Sequence, residues 1–331
     1  MASVGRYIAE KTRETIEIYW ELVRIIVPVA VVTQVLVETG AIRAVAPAFA
    51  PLMELYGLPP ALALAWLTSL LVGIWGAVIV VFALVPVETL TVADITILSS
   101  LFLFGHALPV EQRIIQKAGA GLIVTTVLRL LGGMVFAFLL HMVFRSTGWL
   151  SEPLNPTWVP MAGDGGWSGF LRGTIETLIS MFVILYGLNI FMDLFRRSGL
   201  MDRMNTVIAP LFAIAGLKKQ ALPITAIGMF LGVSFGGGLL IREARSGAVE
   251  PRQVFLACIF MGFTHSVIED TLVVVAIGAD FNTVFFARLL FGVLATGLIS
   301  VIIGRMPDRW FEALCCHHAG TRNDKVATAE S

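Results

Sequence analysis

The sequence predicts an all-α membrane protein built from two inverted repeats, each with about three transmembrane helices, one of them interrupted, plus a re-entrant helical hairpin. Three observations carry this reading. The first is composition: 331 residues are 57% hydrophobic and only 14% charged, with a mean hydropathy of +0.87. Soluble domains hold nearer a quarter charged residues, so this chain calls for a lipid solvent. The second is an internal register. A shift of 159 residues, the separation of His106 from His265, also sets Gly40 on Gly199, Pro51-Leu52 on Pro210-Leu211 and Gly73 on Gly232. Gly119 falls on Gly278 and Arg129-Leu130-Leu131 on Arg288-Leu289-Leu290. An apolar chain aligns leucines by chance, but not a histidine, an arginine, a proline and several glycines together, so one unit occurs twice.

The third observation is the distribution of positive charge, which sets orientation. Arg196, Arg197, Arg203, Lys218 and Lys219 precede the apolar run Gln220–Ile241, and Arg242, Arg245 and Arg252 follow it. Both flanks belong on the cytoplasmic side, so the run enters and returns, with its turn expected at Ser234-Phe235-Gly236-Gly237-Gly238. Each arm of roughly 10 residues reaches about 15 Å, half the hydrocarbon thickness. The matching hairpin around Gly73-Ile74-Trp75-Gly76 has flanks poor in Lys and Arg and enters from outside. Three crossings and one hairpin make an odd number per copy, which inverts the second copy. Eight simple spans in parallel copies would place Lys218-Lys219 and the Arg242–Arg252 cluster on opposite faces.

The elements follow in order. Residues 1–21 form a cytoplasmic amphipathic lead-in, with Arg6, Lys11 and Arg13 set among Glu10, Glu14, Glu17 and Glu21; no small-residue cleavage site marks a signal peptide. The first repeat, 22–145, holds a span ending at Gly40, an amphipathic piece over 41–56, the hairpin, a span over 93–117 interrupted at 105–109, and a last span over 121–144. An extracytoplasmic linker, 146–168, carries Trp149, Trp158 and Trp167 as interfacial anchors. The second repeat, 169–305, runs through the same order, and a loose cytoplasmic tail, 306–331, ends the chain. Both termini fall in the cytoplasm of a multi-pass protein of the plasma (inner) membrane.

The interrupted spans hold the candidate chemistry. In the first copy Gly105-His106-Ala107-Leu108-Pro109-Val110-Glu111-Gln112 breaks apolar sequence. Pro109 suits the first turn of a restarted helix, and Glu111 falls where the helix dipole favours a carboxylate. In the second copy Thr264-His265-Ser266-Val267-Ile268-Glu269-Asp270-Thr271 contains Ser-x-x-Glu, which predicts a capping box and a restart at Ser266. Broken backbone at membrane depth survives only inside protein or beside a wet cavity, and ionisable groups there mark pathways or binding sites. The candidate ligands are therefore His106, Glu111, Gln112, Thr264, His265, Ser266, Glu269 and Asp270, joined by Ser234, Gly73, Gly76, Gly236 and Gly237 at the hairpin tips. The bland alternative is that these groups cap broken helices and bind nothing, and that the glycines pack helices. Arg129 and Arg288 rank as a supporting structural pair. Asn189 and Asp193, with Gln34 and Thr33 opposite, line the same cavity in this reading.

Other chemistry has less support. Cys315-Cys316-His317-His318 sets adjacent ligands in a tail, whereas tetrahedral metal sites want spaced ligands; no metal and no cofactor is expected. No Walker-type Gly-x-x-x-x-Gly-Lys-Ser/Thr occurs, and no nucleophile–base set stands out, so an enzyme is not expected. Zero net charge argues against nucleic acid.

Hairpin, interrupted helix with a polar break and a further helix, present twice, resembles the nucleoside-recognition or gate domain family. It is similar in architecture to the core of concentrative nucleoside transporters and to the membrane gates of ferrous-iron transporter B. The resemblance covers about Val23–Phe144 and Ser168–Gly304 and rests on architecture; the Gln-Thr-Glu and Glu-Phe type motifs of the nucleoside carriers do not occur in these segments. It implies that Gly73–Gly76 with His106–Gln112, and Ser234–Gly238 with His265–Thr271, form the gate. Two functions remain open. One is a secondary transporter in the bilayer for a small polar solute, nucleoside or nucleobase by resemblance, coupled to H⁺ or Na⁺ as coupling cation at a midplane site. The other is a gate or assembly module, or a cation (metal) pore, acting as a homo-oligomer or with a membrane partner protein.

Overall fold

The computed structural model describes residues 2–39, 48, 50–159, 166–198 and 208–316. Among the described residues the chain is helical, with isolated bridges and no named strand. Lead-in and first span form one helix, α1 (Ala2–Glu38), which runs through Pro28. Two short apolar helices, α2 (Leu62–Leu71) and α3 (Ile74–Leu84), meet at Gly73, whose φ of 128° no residue with a side chain adopts readily. The interrupted span becomes α4 (Val92–Phe104) and α5 (Leu108–Lys117). The last span of the first copy is α6 (Leu122–Thr147), and α7 (Gly166–Arg197) opens the second. There follow α8 (Leu222–Arg245), the interrupted pair α9 (Pro251–Thr264) and α10 (Glu269–Ala276), then α11 (Arg288–Gly304) and α12 (Asp308–Cys315).

The duplication is visible residue by residue in the backbone. Left-handed or otherwise positive φ recurs in register at Gly57 and Gly216, Gly73 and Gly232, Ala107 and Ser266, and Gly119 and Gly278. These positions explain why glycines align between the copies. They also move the expected turn. The break in α8 lies at Gly232 (φ 78°, ψ 160°), the partner of Gly73, and residues 234–238 are helical. Only Gly232 needs a conformation denied to side chains; the Gly-Gly-Gly run lowers helix propensity without forcing a turn.

The chain forms two compact units, and each contains stretches of both copies: the first holds 169–207 and 269–286 of the second copy, and the second holds 108–133 of the first. The first unit holds residues 1–107, 134–207 and 269–286; the second holds 108–133, 208–268 and 287–331. Of these, 108–133 and 269–286 begin just past a break and sit in corresponding register.

In the first unit α1 packs along α7 and against α3, α2 packs on α3, and α4 contacts α2, α3 and α10. Ile79, Phe170 and Met181 form an apolar core there with Tyr19, Val23, Trp75 and Leu178 around it. α1 and α7 are also tied by polar contacts. Asn189 Nδ2 donates to Thr15 Oγ1 at 3.0 Å, Tyr7 Oη donates to Asp193 Oδ2 at 2.8 Å, and Lys11 Nζ lies 3.4 Å from Asp193 Oδ1. Asn189 and Asp193 thus serve the joint between α1 and α7. Gln34 bonds Glu38 on its own helix. α4 begins with a capping box: Thr91 Oγ1 accepts from Asp94 N, and Asp94 Oδ2 accepts from Thr91 N at 2.9 Å. Thr91→Ala should cost about 1 kcal/mol, read as a lower midpoint in thermal unfolding of the purified protein.

In the second unit α5 packs against α8, and α9 lies between α8 and α11. The C-terminal segment is docked through residue 316, contrary to the expected loose tail. Arg252 donates to Ile303 O, to Met306 O at 2.7 Å and to Asp308 Oδ1 at 2.7 Å, and its guanidinium covers the Phe311 ring. Phe311 and Cys315 are buried, and Gly121 N donates to Cys315 O. A polar stretch reads as loose, but one amphipathic turn bearing Phe311 is enough to bury.

Candidate functional site

The two breaks solve the same backbone problem in the same way. A helix that stops leaves its last carbonyls without partners. At the first break, His106 Nδ1 donates to Phe102 O at 2.9 Å; at the second, His265 Nδ1 donates to Met261 O at 3.0 Å. A carbonyl only accepts, so both rings carry their proton on Nδ1 and turn Nε2 away from the helix. The residue after each histidine then takes φ of 45°, Ala107 in one and Ser266 in the other. Such a conformation costs a non-glycine residue about 1–3 kcal/mol and clusters at functional sites. It is held by the neighbouring hairpin arm: Ala107 N donates to Ser69 O at 2.9 Å, and Val267 N donates to Met229 O at 2.9 Å. Ser69 Oγ returns a bond to Gly105 O.

What the helices do next differs from expectation at one point. Pro109 and Glu111 fall in the first turn of α5 as the sequence predicts, but the second restart comes at Glu269 and not at Ser266. Ser266 cannot be an N-cap in a left-handed conformation, since caps use extended backbone. Its Oγ sits where a Cβ on Gly232 would be.

In the second unit Glu111, Arg129 and His265 form a triad. Arg129 Nη2 forms an ion pair with Glu111 Oε2 at 2.7 Å and donates to His265 Nε2 at 3.0 Å, and His265 Nε2 lies 3.4 Å from Glu111 Oε2. Arg129 is 1% exposed and His265 0%. The guanidinium lies against both groups. Gln112, beside Glu111, accepts from Thr125 Oγ1 at 3.1 Å. Thr264 Oγ1 bonds back to Phe260 O. Arg288, also 0% exposed, donates through Nε to Phe263 O at 2.8 Å and through Nη2 to His265 O at 3.0 Å. It satisfies carbonyls that the break sets free. Arg129 thus pairs with the carboxylate and Arg288 caps the break, the contacts of a structural pair. Their shared register was the available signal.

In the first unit His106 meets Asp270, with Nε2 3.4 Å from Oδ2. Asp270 is the register partner of Glu111, and His106 of His265. Each histidine thus faces a carboxylate contributed by the opposite copy, which the segment exchange makes possible. Three buried polar atoms of this unit, Trp66 Nε1, Ser99 Oγ and Thr271 Oγ1, have no hydrogen-bonding partner among the described residues. Buried polar groups in that state call for a ligand or water. Sequence inspection passed over them, although the copies differ here: Thr96, Ser99 and Ser100 on α4 face Phe255, Cys258 and Ile259 in register. Gly73 and Gly76 lie at the α2–α3 junction and in α3, and Gly236 and Gly237 in the helical second part of α8. Cys315 is buried at the end of α12, while His317 and His318 lie outside the described residues.

Among the described residues, four helical stretches are long and apolar enough to cross a bilayer: Val92–Lys117, Leu122–Thr147, Pro251–Ala276 and Asn282–Gly304. At 1.5 Å per residue, 26 residues span about 39 Å, more than the roughly 30 Å hydrocarbon core. Two of the four are the interrupted spans, and their windows are the most buried. Fold and sites together define an all-helical membrane protein with ionisable clusters inside its spans. The chain is similar to an uncharacterized membrane protein of Bacillus subtilis (strain 168), YvoD, with 23% identity over 285 residues, covering 85% of this chain and 90% of that one. No family model matches the chain, and no solved structure matches it.

Proposed function

We propose that the protein is a secondary transporter of a small polar solute, driven by a coupling cation and working at its two broken helices. Nucleosides and nucleobases are the first class to test, as the resemblance implies. The observation that supports it most is the recurrence, at half the length of each interrupted span, of a buried histidine on a strained break facing a carboxylate. A structural cap needs neither the strain nor the charge. The unpartnered Trp66, Ser99 and Thr271 atoms suit a solute that is uncharged and rich in hydrogen-bonding groups, since burial of such atoms without partners is costly.

The copies are inverted in this reading, and α2–α3 and α8 are re-entrant hairpins. The breaks at Gly73 and Gly232 support it, because they leave first arms of about 10 residues, each reaching about 15 Å. The positive charges at both ends of the second hairpin support it too. Alternating access then moves the hairpins and broken helices against the remaining spans.

Uptake into proteoliposomes made with the purified chain tests the proposal. Labelled nucleosides and nucleobases should accumulate under an imposed H⁺ or Na⁺ gradient, and His106→Ala should reduce accumulation to the level of empty liposomes. Cation conductance without solute movement, or flux only after a second membrane protein is added, would favour a gate module and overturn the transporter.

A further inference from the structure

We infer that α12 (Asp308–Cys315) lies flat in the headgroup layer of the bilayer, with Trp310 and Leu314 seated among the lipids, whatever solute the protein carries. The depth of α12 follows from its two anchors. At its start, Arg252 donates to Asp308 Oδ1 at 2.7 Å, and the same guanidinium reaches Ile303 O and Met306 O. Arg252 is in the first turn of α9, and Ile303 is in the last turn of α11. At its other end, Gly121 N donates to Cys315 O at 2.8 Å, one residue before α6 begins at Leu122. A bridge between Ala120 and Cys316 reinforces that contact.

Each anchor is thus the terminus of a stretch long enough to cross a bilayer. The eight residues of α12 cover about 12 Å, far less than the roughly 30 Å of hydrocarbon between the two boundaries. Both anchors therefore belong to the same boundary, and a helix tied to it at both ends runs along it. The chain leaves α11 at Gly304, and only Arg305-Met306-Pro307 intervene before α12 starts.

The sides of α12 fit that position. At about 100° per residue, Phe311 and Cys315 share one stripe, Trp310 and Leu314 the next, and Asp308, Arg309 and Glu312 the opposite flank. The first stripe is buried, and Phe311 packs edge-on against Phe255 of α9 at 5.9 Å between ring centroids. The second is apolar but open, with Trp310 53% exposed and Leu314 49%. The polar flank is exposed as well. Protein below, water on one flank and an uncovered apolar stripe on the other describe a helix at the junction of protein, lipid and water.

Lipid is the occupant that the surroundings favour. On α11 the exposed side chains Leu290, Leu294, Leu298 and Ile302 form a stripe at helical spacing that runs to the same boundary. The open face of α12 continues the apolar surface of that span. Tryptophan prefers the headgroup level, where its ring is half in apolar surroundings. Arg309 lies 6.0 Å over the Trp310 ring, and its long stem lets the charge reach water from there. Two side chains are also far too little for a stable protein interface, which buries about 800 Å² on each partner.

Fluorescence of the full chain in nanodiscs tests the inference. The emission of Trp310 is obtained as the difference between wild type and Trp310→Phe. Lipids brominated near the top of the acyl chain should quench it strongly, lipids brominated near the chain end much less, and aqueous iodide hardly at all. Quenching by iodide and not by brominated lipid would put Trp310 in water and overturn the proposal. Emission indifferent to both quenchers would mean that protein covers the stripe, a second copy or residues 317–331, and would overturn it equally. Should Trp310→Phe fail to fold, Leu314→Trp in the otherwise native chain gives the second reading. Its added emission should show the same preference for shallow bromine, and a lack of that preference would overturn the proposal.

Discussion

Arg129→Ala should be the most damaging single substitution in the second unit. The guanidinium is the partner of Glu111 at 2.7 Å and of His265 at 3.0 Å, and all three side chains are buried. Removing one member of a buried ion pair typically costs about 3–5 kcal/mol, because the charge left behind has lost both water and partner. Membrane surroundings offer Glu111 no cheap route to solvent. The expected result is a thermal midpoint well below wild type and poor recovery from detergent. Glu111→Gln combined with Arg129→Met should restore most of the loss, since the neutral pair strands no charge. If the single variant unfolds at the wild-type temperature, the triad is not holding this unit together.

Gly232→Ala should disrupt the second unit by a different route. Its φ of 78° lies where a side chain is strained, and a new Cβ would run into Ser266 Oγ at the break. Backbone strain of this kind costs about 1–3 kcal/mol, and the clash displaces the residue that follows His265. Gly236→Ala carries no such backbone penalty, because that position is helical. Thermal unfolding of the two variants side by side decides where α8 breaks. Equal loss at both positions would return the turn to the glycine run.

Much of the fold was legible in the residues. Pro109 marked the restart of α5, and Glu111 fell in its first turn because proline suits that turn and the dipole favours an anion. The 159-residue register located the breaks at His106 and His265, since only small or special residues align by necessity. The turn of α8 was misread because Gly236-Gly237-Gly238 is louder in sequence than the single Gly232. Glycine count reports permission, whereas the φ that needs it belongs to one residue. Ser266 was misread as a cap for a similar reason: Ser-x-x-Glu states a hydrogen-bonding option, and the left-handed backbone at Ser266 removes it. The lead-in gave no sign that α1 would continue unbroken and pair Lys11 and Thr15 with α7, because the partner surface lies more than 170 positions away in the chain.

Sequence alone thus determined the helical class, the duplication, the two breaks and the identity of the histidines and carboxylates around them. These follow from composition, register and local backbone preferences, which act over a few residues. Tertiary structure decided which charges meet. Glu111 could have answered its own copy's histidine; the exchange of segments sends it to His265 and brings Asp270 to His106. It also decided that Arg129 meets both His265 and the carboxylate beside it. Electrostatic pairing falls off over a few ångströms, and no spacing along the chain fixes distances between residues well over a hundred positions apart.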